Sequence, residues 1–218
     1  MKIKLLLIPA VVLGLTLVLN ATSSQKPGQK PPPKPAQKSA QAPRSTTVSS
    51  SRSAADSLDA KLCHIRDNGN RQSPDQTPTV LTDDEVNAYF AEHRVKLPAG
   101  VESVRFHGDP GIITANARVD FDQITSNRRS ANPLLALFTG VHDVRVVAHA
   151  IGNGGQARID VDSVAIDDVN VPRMALQFFA DRYLRPRYPN AGLNTRFQMP
   201  SRIDTATVGA QQLAVTQK

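Results

Sequence analysis

Aspartate and glutamate are missing from the first 55 residues, which contain eight lysines and arginines. The rest of the chain holds the other 18 of the 26 basic residues and all 19 acidic ones. The formal charge of +7 therefore divides into +8 for the first 55 residues and −1 for the remainder. A nearly neutral remainder argues against nucleic-acid binding, because that function needs a basic surface on the folded part.

Cysteine is nearly absent as well, since Cys63 is the only one. No disulfide can form within the chain, so the folded part must depend on an apolar core. Cys63 lies in a helical pattern with Ala55, Leu58, Leu62 and Ile65. We expect it to be a small buried residue of that helix. An intermolecular disulfide is the alternative.

Sequence patterns of known catalytic sites are also lacking. The histidines (64, 93, 107, 142 and 149) do not have metal-ligand spacing, and neither a phosphate-binding glycine loop nor a nucleophile elbow is present. Asp160 and Asp162 alternate with Ile159 and Val161, which indicates the wet face of a strand rather than a Ca²⁺ loop. The sequence therefore predicts no enzyme, no catalytic residue, no metal and no cofactor. An enzyme with a dispersed site around His107 or His149 stays open.

The N-terminal part has the features of an export signal and a linker. Lys2 and Lys4 precede 15 mostly apolar residues, from Leu5 to Leu19, which are too few for a typical membrane span. We assign residues 1–21 to a signal peptide or signal anchor, residues 22–55 to a flexible linker rich in Pro, Lys and Ser, and residues 56–218 to one folded domain. The expected location is extracytoplasmic, in the periplasm or cell envelope, either secreted or anchored. The basic linker offers a contact to a membrane surface or an envelope polymer.

The sequence pattern of the folded part predicts an α+β fold. Thr82 and Glu85 form a capping box that starts a helix. Alternating segments then predict hairpin strands, with a bulge near Ser163 in a long strand over 156–169. Pro172 opens an amphipathic helix over 172–184. We expect a curved antiparallel sheet packed on that long helix, preceded by one or two short helices.

An apolar groove between the sheet and this helix is the candidate binding site. The candidate lipid-binding residues are Val164, Ile166, Val171, Met174, Phe178, Phe179, Tyr183 and Leu184. The candidate headgroup contacts, at the basic end of the helix, are Arg182, Arg185, Arg187 and Tyr188. A helix that packs entirely as core would show the same apolar pattern as a helix that lines a groove. In that case the arginines at its C-terminal end would compensate the helix dipole.

The order of these elements resembles a known family. The segments that carry the resemblance are the Leu81–Asn87 helix start, the strand ending in Val169-Asn170-Val171-Pro172, the Met199-Pro200 turn and the closing strands Ile203–Gly209 and Leu213–Thr216. In these features the chain looks like exported LmeA-like, tubular lipid-binding (TULIP-like) domains. The resemblance covers roughly residues 80–217, and the segment 185–189 departs from it. It implies a bent sheet wrapped around a long helix, with a lipid held between them.

Two functions follow from these patterns. The first is an exported, non-enzymatic, membrane-associated domain that binds a lipid or another amphiphile by burying its apolar part. The second is an envelope scaffold or assembly protein that binds a protein or polymer partner.

Overall fold

The computed structural model describes residues 45–126, 139–181 and 192–218. Among these residues the helices are α1 (Ser45–Gly69), α2 (Asp83–Ala91), α3 (Phe121–Ser126) and α4 (Arg173–Phe179). The strands are β1 (Thr79–Thr82), β2 (Val101–Asp109), β3 (Ile112–Asp120), β4 (Val141–Asn153), β5 (Gln156–Ile166), β6 (Val169–Asn170), β7 (Asn194–Gln198), β8 (Ile203–Gly209) and β9 (Gln212–Gln217). The signal segment and the first part of the proposed linker lie outside the described residues.

These strands form one antiparallel sheet. Its main path runs β1-β9-β8-β4-β3-β2, and β5 pairs with β4, β6 and β7. β8 reaches β4 through the pair Ala206 and Gly152. The described residues therefore confirm the mixed α+β class and its antiparallel sheet.

Several local predictions are confirmed. Thr82 caps α2 and accepts a hydrogen bond from the Glu85 N–H, while the Glu85 carboxylate accepts one from the Thr82 N–H. Gly154 and Gly155, at the turn between β4 and β5, have φ values of +59° and +79°. The register of β4 against β5 shifts close to Ser163, where the bulge was expected.

α1 begins in the segment that the sequence assigned to the linker, so the boundary predicted at residue 55 falls inside this helix. Ala55, Leu58, Leu62 and Ile65 are buried and belong to the main core together with residues of α2 and the sheet. Their spacing places them on one face of the helix. Cys63 is exposed, so the prediction that it is buried was wrong. It lies one residue beyond Leu62, which turns it away from that face.

The region of the predicted 172–184 helix differs from expectation. α4 covers seven residues, and the Met174 and Phe178 side chains are 86% and 52% exposed. Ala180 is 2% exposed and Leu176 is half-buried, so the inner side of this segment carries these two residues instead. The prediction that Met174 and Phe178 face the sheet was wrong, because the apolar stripe does not coincide with the side that packs. Residues 182–191 lie outside the described residues.

Candidate functional site

An apolar cavity of about 80 Å³ lies beneath α1. Leu58, Leu62 and Ile65 of α1 form one wall, and residues of α2 and the sheet form the rest. Arg158 is the only charged residue among the described residues that line it. The remaining lining residues are Leu81, Val86, Phe90, Ile113, Ala150, Ile151, Gly152, Ala157, Ile159, Phe197, Met199, Pro200, Ile203, Ala206, Val208, Leu213 and Val215.

Small residues on the sheet leave this space open. Ala150, Ala157 and Ala206 line the cavity opposite the branched side chains of α1. Gly152 lets β8 approach β4 closely, because a Cβ atom at this position would lie 2.8 Å from the Ala206 Cβ and 3.0 Å from the Met199 Sδ. β4 and β8 therefore lie close together at Gly152. The neighbouring alanines have small side chains and leave the space of the cavity unfilled.

A polar clamp joins α1 to α2. The Lys61 Nζ lies 2.6 Å and 2.8 Å from the two Glu85 carboxylate oxygens, and it donates to the Val80 carbonyl at 2.7 Å. The Ser57 hydroxyl donates to the same carboxylate at 2.6 Å. Since the carboxylate also accepts from the Thr82 N–H at 2.9 Å, one buried acid ties α1, β1 and α2 together.

The clamp changes the protonation of its acid. Burial acts to raise the pKa of the Glu85 carboxyl, but hydrogen bonds from Lys61, Ser57 and Thr82 favour the ionised form and outweigh it. The pKa of Glu85 therefore lies below its usual range. Glu85 is ionised at neutral pH, and the clamp is then closed.

Buried amides fasten the other end of α1. The Asn68 Nδ2 donates to the Gln217 side-chain oxygen and to the Asp75 carbonyl, each at 2.8 Å. The Gln217 Nε2 donates to the carbonyls of Ile65 and Ser201 at 2.7 Å and 2.5 Å. Because buried amides are costly when unpaired, this network fixes α1 against β9 at the end of the sheet near Ser201.

The apolar face of the sheet extends from the cavity along β5. Cross-strand pairing places Ile159 opposite Ala150, and Val164 and Ile166 opposite Val146 and Val144. The bulge adds one residue between the two halves of β5, so both halves keep their apolar side chains on one face. Val164 and Ile166 are half-buried. The face therefore runs continuously from the covered cavity to a more open end.

The structure separates the candidate residues into three groups. Val164, Ile166 and Val171 are half-buried near the end of β5, and the Val171 N–H donates to the Val164 carbonyl at 2.8 Å. Met174 and Phe178 are exposed and do not line the cavity. The third group consists of candidate residues whose side chains lie outside those that the structure describes: Phe179, Arg182, Tyr183, Leu184, Arg185, Arg187 and Tyr188.

Sequence reasoning missed the residues that line the cavity. Leu58, Leu62 and Ile65 were recognised as a helical pattern, but only the position of Cys63 was interpreted from it. Phe197 and Met199 come from β7 and the turn after it, far along the chain from α1. A helical pattern reveals an apolar stripe and cannot reveal which strands lie opposite.

A histidine–carboxylate pair holds the turn at the open end of this face. The His142 Nδ1 lies 2.5 Å from the Asp167 Oδ2, and the Asp143 N–H donates to the other Asp167 oxygen at 3.0 Å. The His142 Nε2 lies 3.0 Å from the Thr139 carbonyl. The hydrogen bond to Asp167 raises the pKa of His142, and the same bond lowers the pKa of Asp167.

The histidines considered for an enzyme lie on the polar face of the sheet. The His107 Nδ1 lies 3.1 Å from the Asp83 carboxylate, and the His149 Nδ1 lies 2.5 Å from the Asp162 carboxylate. Both imidazoles are about half exposed or more, at 49% and 60%. Across the described residues, no three His, Cys, Asp or Glu side chains come together as a metal site.

Comparisons of the chain with protein-family models, with curated proteins and with solved structures gave no match. Among the helices that the structure describes, none is both long enough and apolar enough to span a membrane.

Proposed function

We propose that this chain is an exported, non-enzymatic domain that binds the apolar part of a lipid or another amphiphile between the sheet and a helix. The supporting observation is the cavity beneath α1, whose described lining is apolar except for Arg158. The site differs from the one expected from the sequence, because α1 rather than the 172–184 segment covers it. The resemblance to LmeA-like, TULIP-like domains stays a prediction that agrees with this function.

The cavity volume limits how a ligand binds. At about 80 Å³ it is smaller than the roughly 300–1,000 Å³ of typical ligand pockets. It suits one narrow hydrocarbon chain better than a ring system or a two-chain lipid. We infer that such a chain fills the cavity and continues along the half-buried side chains of Val164 and Ile166.

Burial of apolar surface supplies the binding energy in this proposal, at roughly 25 cal/mol per Å². A polar headgroup remains outside, where the exposed Arg158 at the cavity margin is available to it. Arg158 already pairs with Asp160 at 2.6 Å, so a headgroup must compete with that carboxylate. The headgroup therefore contributes orientation more than affinity.

Native mass spectrometry of the full chain, followed by organic extraction of what co-purifies, tests the proposal. Ala150→Met fills the cavity with a flexible side chain and should abolish ligand retention in a folded protein. Phe197→Asp places a charge in the wall, and Phe178→Asp is its matched control, since Phe178 lies outside the cavity. Retention by the folded Ala150→Met protein, or equal loss in both aspartate variants, would reject this site.

The second candidate is an envelope scaffold that binds a protein or polymer partner. The exposed apolar side chains of Val169, Met174 and Phe178 favour it. A ligand-free mass, with no uptake of added fatty acid or phospholipid, would favour this function over lipid binding. Covalent crosslinking through position 174 in an envelope fraction would then identify the partner.

A further inference from the structure

Exposed hydrophobic side chains concentrate at one end of the domain. The exposed large hydrophobic residues among those described are Val141, Ile151, Val169, Met174 and Phe178. Val141 starts β4, while Val169 and the two α4 residues follow the end of β5. β4 and β5 are antiparallel, so Val141 and Val169 lie at one end of the sheet, and α4 begins three residues after β6 at that end. We call Val169, Met174 and Phe178 the apolar tip; they are 70%, 86% and 52% exposed. Met174 and Phe178 are four residues apart on α4 and therefore lie on one face of it, and contiguous exposed apolar surface of this kind marks an interaction site.

The N-terminal end of α1 points toward the same end of the sheet. Arg94, just after α2, binds Asp56 at 2.5 Å, and Arg52 lies 3.9 Å from Glu92. The first half of α1 therefore lies beside the C-terminal end of α2. Ser45, the first residue of α1, precedes Arg52 by seven residues, or about 10 Å of helix.

The direction of α2 shows which end of the sheet lies next to the start of α1. The Gly108 N–H donates to Asp83 at the start of α2, and the Phe106 N–H donates to Asn87 one turn later. α2 thus runs antiparallel to β2, and its C-terminal end lies where β2 begins. β2 begins at the end of the sheet where β4 begins and β5 ends. The chain preceding Ser45 consequently joins the domain at the end that carries the apolar tip.

That preceding chain is basic and contains the apolar segment. Between Lys26 and Arg52 there are six basic residues and no acidic residue, and the apolar run Leu5–Leu19 lies further upstream. Residues 20–44 would span roughly 80 Å if they were extended like polyproline II. A basic segment near a membrane is attracted to anionic lipid. Stable attachment of a peripheral domain commonly combines such a segment with an inserted apolar group.

We propose that the apolar tip docks on an anionic phospholipid bilayer, with the side chains of Val169, Met174 and Phe178 inserted at the headgroup boundary. The basic N-terminal segment holds the same end of the domain toward that surface. This proposal concerns where the domain sits, and it does not depend on a ligand in the cavity.

The test uses the purified full chain with residues 1–44 intact, in a Cys63→Ser background because Cys63 is exposed. An environment-sensitive dye is attached at Met174→Cys, or at Asn153→Cys as the matched control. Asn153 is an exposed residue at the end of β4, next to the β4–β5 turn at the opposite end of the sheet, and it does not line the cavity. Both proteins keep the same N-terminal segment, so any difference between the dyes reports the orientation of the domain.

With vesicles of phosphatidylglycerol and phosphatidylcholine, the dye at position 174 should shift its emission to shorter wavelength. Spin-labelled lipid should quench it, while the dye at position 153 stays as in water. Equal behaviour of the two dyes, whether both respond or neither does, overturns the proposal. Equal quenching at 174 in phosphatidylcholine alone overturns the assignment to an anionic surface.

Two variants separate this proposal from the proposed function. Val169→Ser with Phe178→Ser should remove the response at position 174, since both changes lie at exposed positions where folding is little affected. A retained response would overturn the role of the apolar tip. Ala150→Met, which fills the cavity, should leave the response unchanged. Loss of membrane docking and loss of ligand binding are therefore detected with different variants.

Discussion

α1 and α4 both carry apolar side chains at helical spacing, and they differ in how they are fastened. Side chains of α1 reach Glu85 and Tyr89 of α2 and Gln217 of β9. Gln177 of α4 donates to Asp181 in the next turn of its own segment. The helix with polar anchors covers the sheet, while the other presents Met174 and Phe178 to solvent. An apolar stripe therefore becomes core where polar contacts fix the helix over a matching surface.

Truncation of one apolar residue in each helix should give the largest difference. Leu58 is 2% exposed, so Leu58→Ala should lower the free energy of unfolding by about 2–5 kcal/mol. Met174→Ala should change it by less than about 0.5 kcal/mol, because the side chain is 86% exposed. Urea denaturation of both variants measures the difference. Similar costs would mean that α1 does not cover the core as described.

The clamp between α1 and α2 is the next largest effect. Glu85→Gln removes the charge that Lys61 and Ser57 bind, and it should cost roughly 1–3 kcal/mol at neutral pH. The wild-type contribution is present above the unfolded pKa of about 4.5 and is lost as the pH falls through the lower folded pKa. Glu85→Gln should therefore flatten the acid limb of the stability curve.

Glu92→Gln is the matched control for the clamp. Glu92 follows α2 and lies 3.9 Å from Arg52, whose side chain is 66% exposed. An exposed pair of this kind contributes little to stability. Urea denaturation between pH 3 and pH 7 compares the two variants. An acid limb that is equally steep in wild type and Glu85→Gln would contradict the role given to the clamp.

A smaller effect is expected from the hydroxyl of Tyr89, which donates to Asp59 of α1 at 2.9 Å. Tyr89→Phe should lower the free energy of unfolding by about 1 kcal/mol. Burial and the Asp59 carboxylate raise the pKa of Tyr89 to about 12. The contribution is thus present below the unfolded pKa of about 10 and is lost as the pH rises toward 12.

Absorbance at the tyrosinate band, followed during an alkaline titration, tests this assignment. The wild-type protein should contain one tyrosine that ionises later than the others, and Tyr89→Phe should lack it. Asp59→Asn is the control, since it keeps the tyrosine but removes its charged partner. A late-ionising tyrosine that survives in Tyr89→Phe would assign the shift to another residue.

These comparisons also show what the sequence could predict. The capping box at Thr82, the β4–β5 turn and the bulge in β5 depend on neighbouring residues, so local patterns were enough to predict them. The cavity is lined by residues that are distant in sequence, such as Leu58 and Phe197, and no local pattern specifies that they come together. The Ser- and Thr-rich start of α1 hid its length, because those residues have weak intrinsic helix propensity.

The smallest predicted effect concerns the turn at the open end of the apolar face. The hydrogen bond to Asp167 raises the pKa of His142. The contribution of this pair to the free energy of unfolding is therefore fully present below the unfolded pKa of about 6.5. It is lost as the pH rises through the higher folded pKa. Asp167→Asn should bring the pKa of His142 down, as measured by NMR titration of the imidazole protons. Ala180→Gly, in the segment after α4, should leave that titration unchanged, because the pair belongs to the β5–β6 turn. An unaltered pKa in Asp167→Asn would mean that the turn is held mainly by the backbone bonds to Asp143.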